Sequence, residues 1–310
     1  LPPDRVATTA DIVTPLTLHA IATGCVALLA FISRRWAWSV LALGLPAILV
    51  GHALGSATQS TDTPFSRATL VSARDHIRVL SLNSWHAHPD IDQVERGIER
   101  ANADVVVLLE VGPDKKPMLD RLSALYPHRR SCADRWECSV AILSRFPIRS
   151  GDARRTQLEL PPLAWAEIDA SALGLGTLTV VGAHVHRPSR SPRIHRLHMR
   201  ALSALALSTQ GPLIIAGDFN TGTLSASWRE LVTVSGLRGS AQWAPTWPAI
   251  PLSAPQVDLD HILISPGMVF GRTGTGPHVG SDHIGIWAEV RLPALLPIKK
   301  IDHASVFQLH

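Results

Sequence analysis

Hydrophobic positions are arranged in two different ways along this chain of 310 residues. Near the start they form long uninterrupted runs. Residues 12–33 (IVTPLTLHAIATGCVALLAFIS) carry no formal charge, nor do residues 36–60, and only Arg34 and Arg35 interrupt them. About twenty helical residues, rising ~1.5 Å each, span the ~30 Å hydrocarbon core of a bilayer. The pattern therefore predicts a membrane anchor over residues 1–57 with two transmembrane helices; Pro15 and Pro46 are tolerable in such helices. A signal-peptide core or a buried soluble hairpin are the alternatives, and the length of the first run and the second run behind it favour the membrane hairpin. If Arg34-Arg35 mark a cytoplasmic loop, both ends of the hairpin and everything after it face outward. Residues 58–75 (TQSTDTPFSRATLVSARD) read as a polar linker.

From Ile77 the pattern changes to short apolar strands alternating with amphipathic stretches. Strands are expected at 77–82, 104–109, 140–144, 163–169, 177–184, 213–217, 257–265 and 284–290. Helices are expected along the stripe Ile91, Val94 and Ile98, around Met118–Tyr126, and at 192–207 and 225–235. Many strands with interspersed helices define an α/β domain over residues 76–292, followed by a Pro-containing tail at 293–310.

Composition narrows this modestly. A hydrophobic share of 46% excludes disorder. The net charge of +4 and pI near 9.3 favour anionic partners such as phosphates, nucleic acid or acidic lipid. Three cysteines make no disulfide framework, and no zinc pair with further ligands stands near them. Cys132 and Cys138 are close enough to close a short loop in an oxidising compartment, which agrees with an outward-facing domain.

Candidate chemistry collects where apolar strands stop. Asn83 follows IRVLSL, Glu110 follows VVVLL, and His184 ends TLTVVGAH. Asp218 and Asn220 follow LIIAG, Asp260 interrupts a strand, and Ser281-Asp282-His283 precede the last one. A strand fixes position while its tip stays open to ligand. Singly, each residue has a plain structural explanation as a turn, a cap or a satisfied histidine. Their joint recurrence at successive strand ends does not.

On these residues the chain resembles the endonuclease/exonuclease/phosphatase family of DNase-I-like metal-dependent phosphoesterases. The motifs are LNSW around Asn83, LLE ending at Glu110, AILSRFPI (141–148), GAHVH around His184, GDFN (217–220), LDHILIS (259–265) and SDH (281–283). LLE stands where LQE is commoner, and GAHVH leaves His184 and His186 competing for one role; strand register favours His184. The resemblance implies a four-layer α/β sandwich of two packed β-sheets flanked by helices. It implies that Asn83, Glu110 and Asp282 hold Mg²⁺ or Mn²⁺, a hard cation suited to oxygen ligands. Asp218 would orient or deprotonate the attacking water, and Asn220 would hydrogen-bond the phosphoryl group. His283, oriented by Asp260, would contact a phosphoryl oxygen or act as base, and His184 would assist the leaving oxygen.

The layout is also similar to that of the membrane-anchored VanJ/teicoplanin-resistance-like members, which implies a lipid-linked pyrophosphate of the cell envelope as substrate. The expectation is thus a multi-pass membrane protein whose catalytic domain lies outside the cytoplasm and hydrolyses phosphate esters or pyrophosphates. A membrane-tethered nuclease and a sphingomyelinase-like phosphodiesterase are the alternatives. The stretch from His186 to Arg200 would suit a second phosphate, a nucleic-acid backbone or an acidic headgroup, or is simply a solvated helix face.

Overall fold

The computed structural model describes residues 76–292 apart from 89, 132, 134–137, 156, 241–243, 251–254, 256 and 277. The hairpin expected over 1–57, the linker and the tail lie outside the described residues. Among the described residues, no helix is long and apolar enough to cross a membrane.

Twelve strands form two six-stranded sheets. The first has the order β11 (Val269–Thr275), β12 (Ile286–Arg291), β1 (Ile77–Asn83), β2 (Val105–Leu109), β4 (Val140–Ser144), β3 (His128–Ser131). The second has the order β5 (Ile148–Arg154), β6 (Leu163–Asp169), β7 (Thr177–His184), β8 (Leu213–Asp218), β10 (Asp260–Ile264), β9 (Arg238–Gly239). Each sheet is antiparallel except for its central pair: β1 runs parallel to β2, and β7 to β8. The carboxyl ends of two neighbouring strands therefore coincide at the middle of each sheet.

Period-two alternation sorts the side chains into layers. Val79, Val105, Val107, Ile142, Ala166, Val180, Ile214, Ala216 and Ile262 face inward and form one core between the sheets. Leu80, Leu82, Val106 and Leu108 face the other way, onto α1 (Ile91–Ala101) and α2 (Lys116–Arg121), through Val94, Ile98, Met118 and Leu119. Val181, Ala183, Ile215 and Leu263 likewise meet α3 (Pro192–Ser208) and α4 (Ala226–Ser235), through Met199, Leu202, Trp228 and Leu231. The result is the expected order of helix, sheet, sheet and helix. The sheets approach closely at Gly182, where a Cβ would lie 2.7 Å from Val107 Cγ1 and 2.9 Å from Val140 Cγ1.

Two expected elements are shorter. The helix over Met118–Tyr126 stops at Arg121 and tightens into a 3₁₀ turn at Leu122–Ala124. Of the strand over 257–265, only Asp260–Ile264 joins the sheet. Asp258 instead turns its carboxylate to Thr223, accepting from its amide at 3.0 Å and its hydroxyl at 2.7 Å.

Candidate active site

The inward-facing column of four strands ends in a polar residue on the same side of the molecule. Along β1 it runs Val79, Ser81, Asn83; along β7, Val180, Gly182, His184; along β8, Ile214, Ala216, Asp218; and along β10, Ile264, Ile262, Asp260. Cross-strand register sets His184 and Asp260 on either side of Asp218. The site is thus the open end of the core between the sheets, where apolar side chains give way to carboxylates, amides and imidazoles.

Glu110 reaches this site by a different route. Alternation after Leu108 and Leu109 would turn it outward with Leu108. Its backbone instead adopts φ 56°, a left-handed conformation, which brings the carboxylate back to the site. Asn83 Nδ2 then donates to Glu110 Oε1 at 3.1 Å and lies 3.3 Å from Asp218 Oδ2. The Asn83 amide is oriented by Trp85, whose N–H donates to Asn83 Oδ1 at 3.0 Å. Gly217 has a positional reason too: at φ 152° its Cβ would lie 1.9 Å from Ala183 O. A side chain there would force β7 and β8 apart and displace Asp218.

On the other side, His283 Nδ1 donates to Asp260 Oδ2 at 2.7 Å, and its Nε2 lies 3.8 Å from Asp218 Oδ2. The turn carrying His283 is tied to β1 by Ser281, whose hydroxyl donates to Asn83 O at 2.7 Å. His184 Nε2 lies 3.6 Å from Asp218 Oδ2 and 4.0 Å from Glu110 Oε1. Asn83, Glu110, His184, Asp218, Asp260 and His283 therefore form one connected cluster. His184 holds the place in it that register favoured, while His186 turns toward α3, its ring 6.1 Å from that of His198.

Two expected residues sit differently. Asn220 spends a side-chain donor on Val185 O at 2.9 Å, fixing the loop after β7, and its backbone N–H donates to Asp218 Oδ1 at 2.8 Å. Asp282 lies in the His283 turn, where its Oδ1 lies 3.5 Å from Ser281 Oγ and its charge acts on His283. Three further residues join the site. His86 holds Glu110 Oε2 twice, through its backbone N–H at 2.7 Å and its Nδ1 at 2.8 Å. Arg187 Nη2 lies 3.9 Å from Glu110 Oε1. Lys115, fully buried, donates from Nζ to Trp85 O and Glu110 O, each at 3.0 Å. His86 was within reach of sequence reasoning, since it shares the strand-end segment of Asn83. Lys115 was not, because PDKK reads as a solvated turn.

Burial pushes the Glu110 carboxyl up, but His184 beside it and hydrogen bonds from His86 and Asn83 outweigh that and bring it down to about 2. Burial lifts Asp218 to about 6, aided by Asp260 and opposed by His283, His184 and the Asn220 N–H. Burial lowers His283, but Asp260 and Asp218 prevail and raise it to about 10. The three thus stand as carboxylate, near-neutral acid–base group and imidazolium.

These residues fit a divalent cation. Glu110 stays ionised and supplies a carboxylate oxygen, the donor that Mg²⁺ and Mn²⁺ take. Asn83 turns Nδ2 to Glu110, and its Oδ1, which accepts from the Trp85 N–H, keeps one lone pair for the ion. One atom each of Asp218, Asp260 and His283 also lie within 4.8 Å of one another. In that group the His283–Asp260 contact is a hydrogen bond in which a proton already lies between the two, so Glu110 with Asn83 is the better cation seat. Asp260 Oδ1, buried and without a hydrogen-bond partner among the described residues, leaves an acceptor for a water donor.

The model of the endonuclease/exonuclease/phosphatase family matches residues 80–283, and the chain belongs to this family of phosphoester hydrolases. No curated protein matches the chain. Among solved structures it is similar to an endonuclease/exonuclease/phosphatase from Beutenbergia cavernae (20% identity, TM-score 0.57), covering 71% of this chain and 72% of that one. It is similar to sphingomyelinase C from Streptomyces griseocarneus (16% identity, TM-score 0.53), covering 69% of this chain and 99% of that one. A mutant beta toxin from Staphylococcus aureus with bound magnesium ions shares the fold at 15% identity and TM-score 0.53, covering 69% and 99%.

Proposed function

We propose that this chain is a membrane-anchored, divalent-metal-dependent hydrolase of phosphate esters or pyrophosphates, acting on a lipid-linked envelope substrate at the outer membrane face. The observation that carries the chemistry is the convergence of Glu110, Asn83, Asp218, His184 and His283 at one end of both sheets. Glu110 and Asn83, with Asp282 alongside, would hold Mg²⁺ or Mn²⁺, which would neutralise charge on the phosphoryl oxygens. Asp218 takes the proton of the attacking water as its oxygen bonds to phosphorus. His283, kept cationic by Asp260 and Asp218, donates to a non-bridging oxygen. Asn220 keeps the loop after β7 in place and offers its remaining polar atoms to the phosphoryl group. His184 gives a proton to the leaving oxygen as the P–O bond breaks.

Two observations support the membrane setting. The uncharged runs at 12–33 and 36–60 are each long enough to span a bilayer. Cys138 is disulfide-bonded, with its partner outside the described residues, and such bonds persist in oxidising compartments. A tether of this kind concentrates the enzyme at a lipid-borne substrate.

The rival reading is a tethered nuclease, favoured by one feature: Arg187, Arg190 and Arg193 lead away from the site toward α3, the last two exposed. Assaying polyprenyl pyrophosphate, sphingomyelin and plasmid DNA under one condition separates the readings. Phosphate release from the pyrophosphate with intact DNA is the expected result. Rapid DNA cleavage with both lipids inert would replace the lipid reading by the nuclease one. A reporter fused after residue 60 should lie outside the cytoplasm, and a cytoplasmic signal would refute the orientation.

A further inference from the structure

Lys115 is a buried charge that the chemistry above does not use. Its side chain is 0% exposed, and its nearest carboxylate is Asp114 Oδ2 at 3.6 Å. Its two short hydrogen bonds go to backbone carbonyls, those of Trp85 and Glu110, each at 3.0 Å. These two carbonyls are 25 residues apart in sequence and belong to turns leaving different strands, β1 and β2. The residues that own them share one property: Trp85 (φ 52°) and Glu110 (φ 56°) are both non-glycine residues in the left-handed region. An aromatic and a long carboxylate side chain are each disfavoured there.

Both left-handed turns serve the site. At Glu110 the turn reverses the alternation that would send the carboxylate to the helix side. At Trp85 it aims the backbone N–H at Asn83 Oδ1 (3.0 Å), which points the Asn83 amide toward Glu110 and Asp218. The next N–H, of His86, then meets Glu110 Oε2 at 2.7 Å. Ser84 pins the same two turns from the other side, its hydroxyl donating to Leu109 O at 2.7 Å.

We infer that Lys115 is the positioning residue of the metal seat: its ammonium clamps two strained turns together and thereby holds the Glu110 carboxylate and the Asn83 amide in one place. This rests on the reading that Glu110 and Asn83 hold the cation. A lysine suits the task because its three donors share one tetrahedral centre, so one side chain binds both carbonyls and still faces Asp114. The clamp acts on backbone, so its strength depends on the strain it opposes, and that dependence makes it testable. Glycine adopts the left-handed region without penalty, so a glycine at position 85 removes strain while keeping the N–H and carbonyl that the site uses.

The experiment is a double-mutant cycle on the purified full chain, read by Mn²⁺ titration in a calorimeter and by Mn²⁺ electron paramagnetic resonance, with circular dichroism as the folding control. The four proteins are wild type, Lys115→Met, Trp85→Gly and the double variant. Lys115→Met should weaken Mn²⁺ binding by roughly 10–100-fold, the usual range when a residue supporting a metal ligand is lost. The same substitution should cost clearly less in the Trp85→Gly background. Equal Mn²⁺ affinity in wild type and Lys115→Met would overturn the inference, as would an equal loss in both backgrounds, since Lys115 would then act by charge or bulk alone. If Lys115→Met does not fold, a folded, Mn²⁺-binding double variant supports the clamp, and an unfolded double variant overturns it. A wild-type chain that binds no Mn²⁺ would instead overturn the metal reading itself.

Discussion

Glu110 and Asp218 are both carboxylates at strand ends, both hydrogen-bond neighbours of Asn83 Nδ2, and both next to His184. Their acidities nonetheless move in opposite directions, to about 2 and about 6. Glu110 accepts two hydrogen bonds from His86, and these with His184 outweigh burial. Asp218 is completely buried, has Asp260 close by and accepts a single backbone N–H at Oδ1. One end of a fold thus sets one chemical group in two states: a carboxylate that stays ionised, as a cation seat requires, and a carboxylate able to exchange a proton near neutrality.

The comparison is broken most completely on the Asp218 side. Asp218→Asn and His283→Ala should each lower turnover by roughly 10²–10⁴-fold, the range of a lost acid–base or charge-stabilising group, while retaining native circular dichroism. A variant keeping near-full activity would show that the mapping of roles is wrong. Glu110→Gln should act on the cation instead, weakening Mn²⁺ affinity by at least about tenfold in calorimetry. Asp218→Asn should weaken it less, and the reverse order would exchange the two roles.

The pH profile sharpens the same contrast. Asp218 must be ionised to accept a proton and His283 protonated to donate. Activity should therefore rise with pH through a limb at or below about 6, because a nearby cation lowers Asp218 further, and fall through a limb no higher than about 10, since His184 must also keep the proton it gives to the leaving oxygen. A kcat/KM that falls as pH rises through about 6 would exclude Asp218 as the base, and one that stays flat beyond about 10 would exclude His283 as the donor.

The smallest effect concerns stability. His198 is buried and neutral: its Nδ1 accepts from the His186 N–H and its Nε2–H donates to Gln157 O. Burial, partly opposed by the Gln157 hydrogen bond and reinforced by neighbouring histidines, lowers it to about 4. A folded pKa below the unfolded ~6.5 means that this contribution is complete above pH 6.5 and lost as pH falls through about 4. His198→Gln should remove that part of the acid sensitivity, on the order of 3 kcal/mol for a shift from ~6.5 to about 4 at ~1.36 kcal/mol per pK unit. It would show as a smaller drop in Tm than wild type between pH 6.5 and 4, and an unchanged drop would remove His198 from the account.

The interior of the fold was legible in the sequence because its strands are apolar on both faces. VVVLL, VAILS and LIIAG admit little else, and each is a strand in the structure. The four unanticipated strands, β3, β5, β9 and β11, are the four edges of the two sheets. Their sequences, HRRS, IRSGDAR, RG and VFGRTGT, are polar, arginine-bearing or glycine-broken, as strands that must not recruit another chain tend to be. The same logic divides the site. Asn83, His184, Asp218 and Asp260 were legible because each simply continues an inward-facing column. The conformation of Glu110 was not, since it breaks alternation, and the contacts of Lys115 and Arg187 depend on loops whose paths alternation does not specify.

The central claim is that these residues form a divalent-metal-dependent phosphoesterase site. It is tested most directly by measuring hydrolysis of an artificial phosphodiester, bis-p-nitrophenyl phosphate, by the purified chain with Mg²⁺ or Mn²⁺, then with excess chelator, then with the cation restored. The account predicts release of nitrophenol that stops on chelation and returns with either ion. Hydrolysis that continues at full rate under chelation would contradict it.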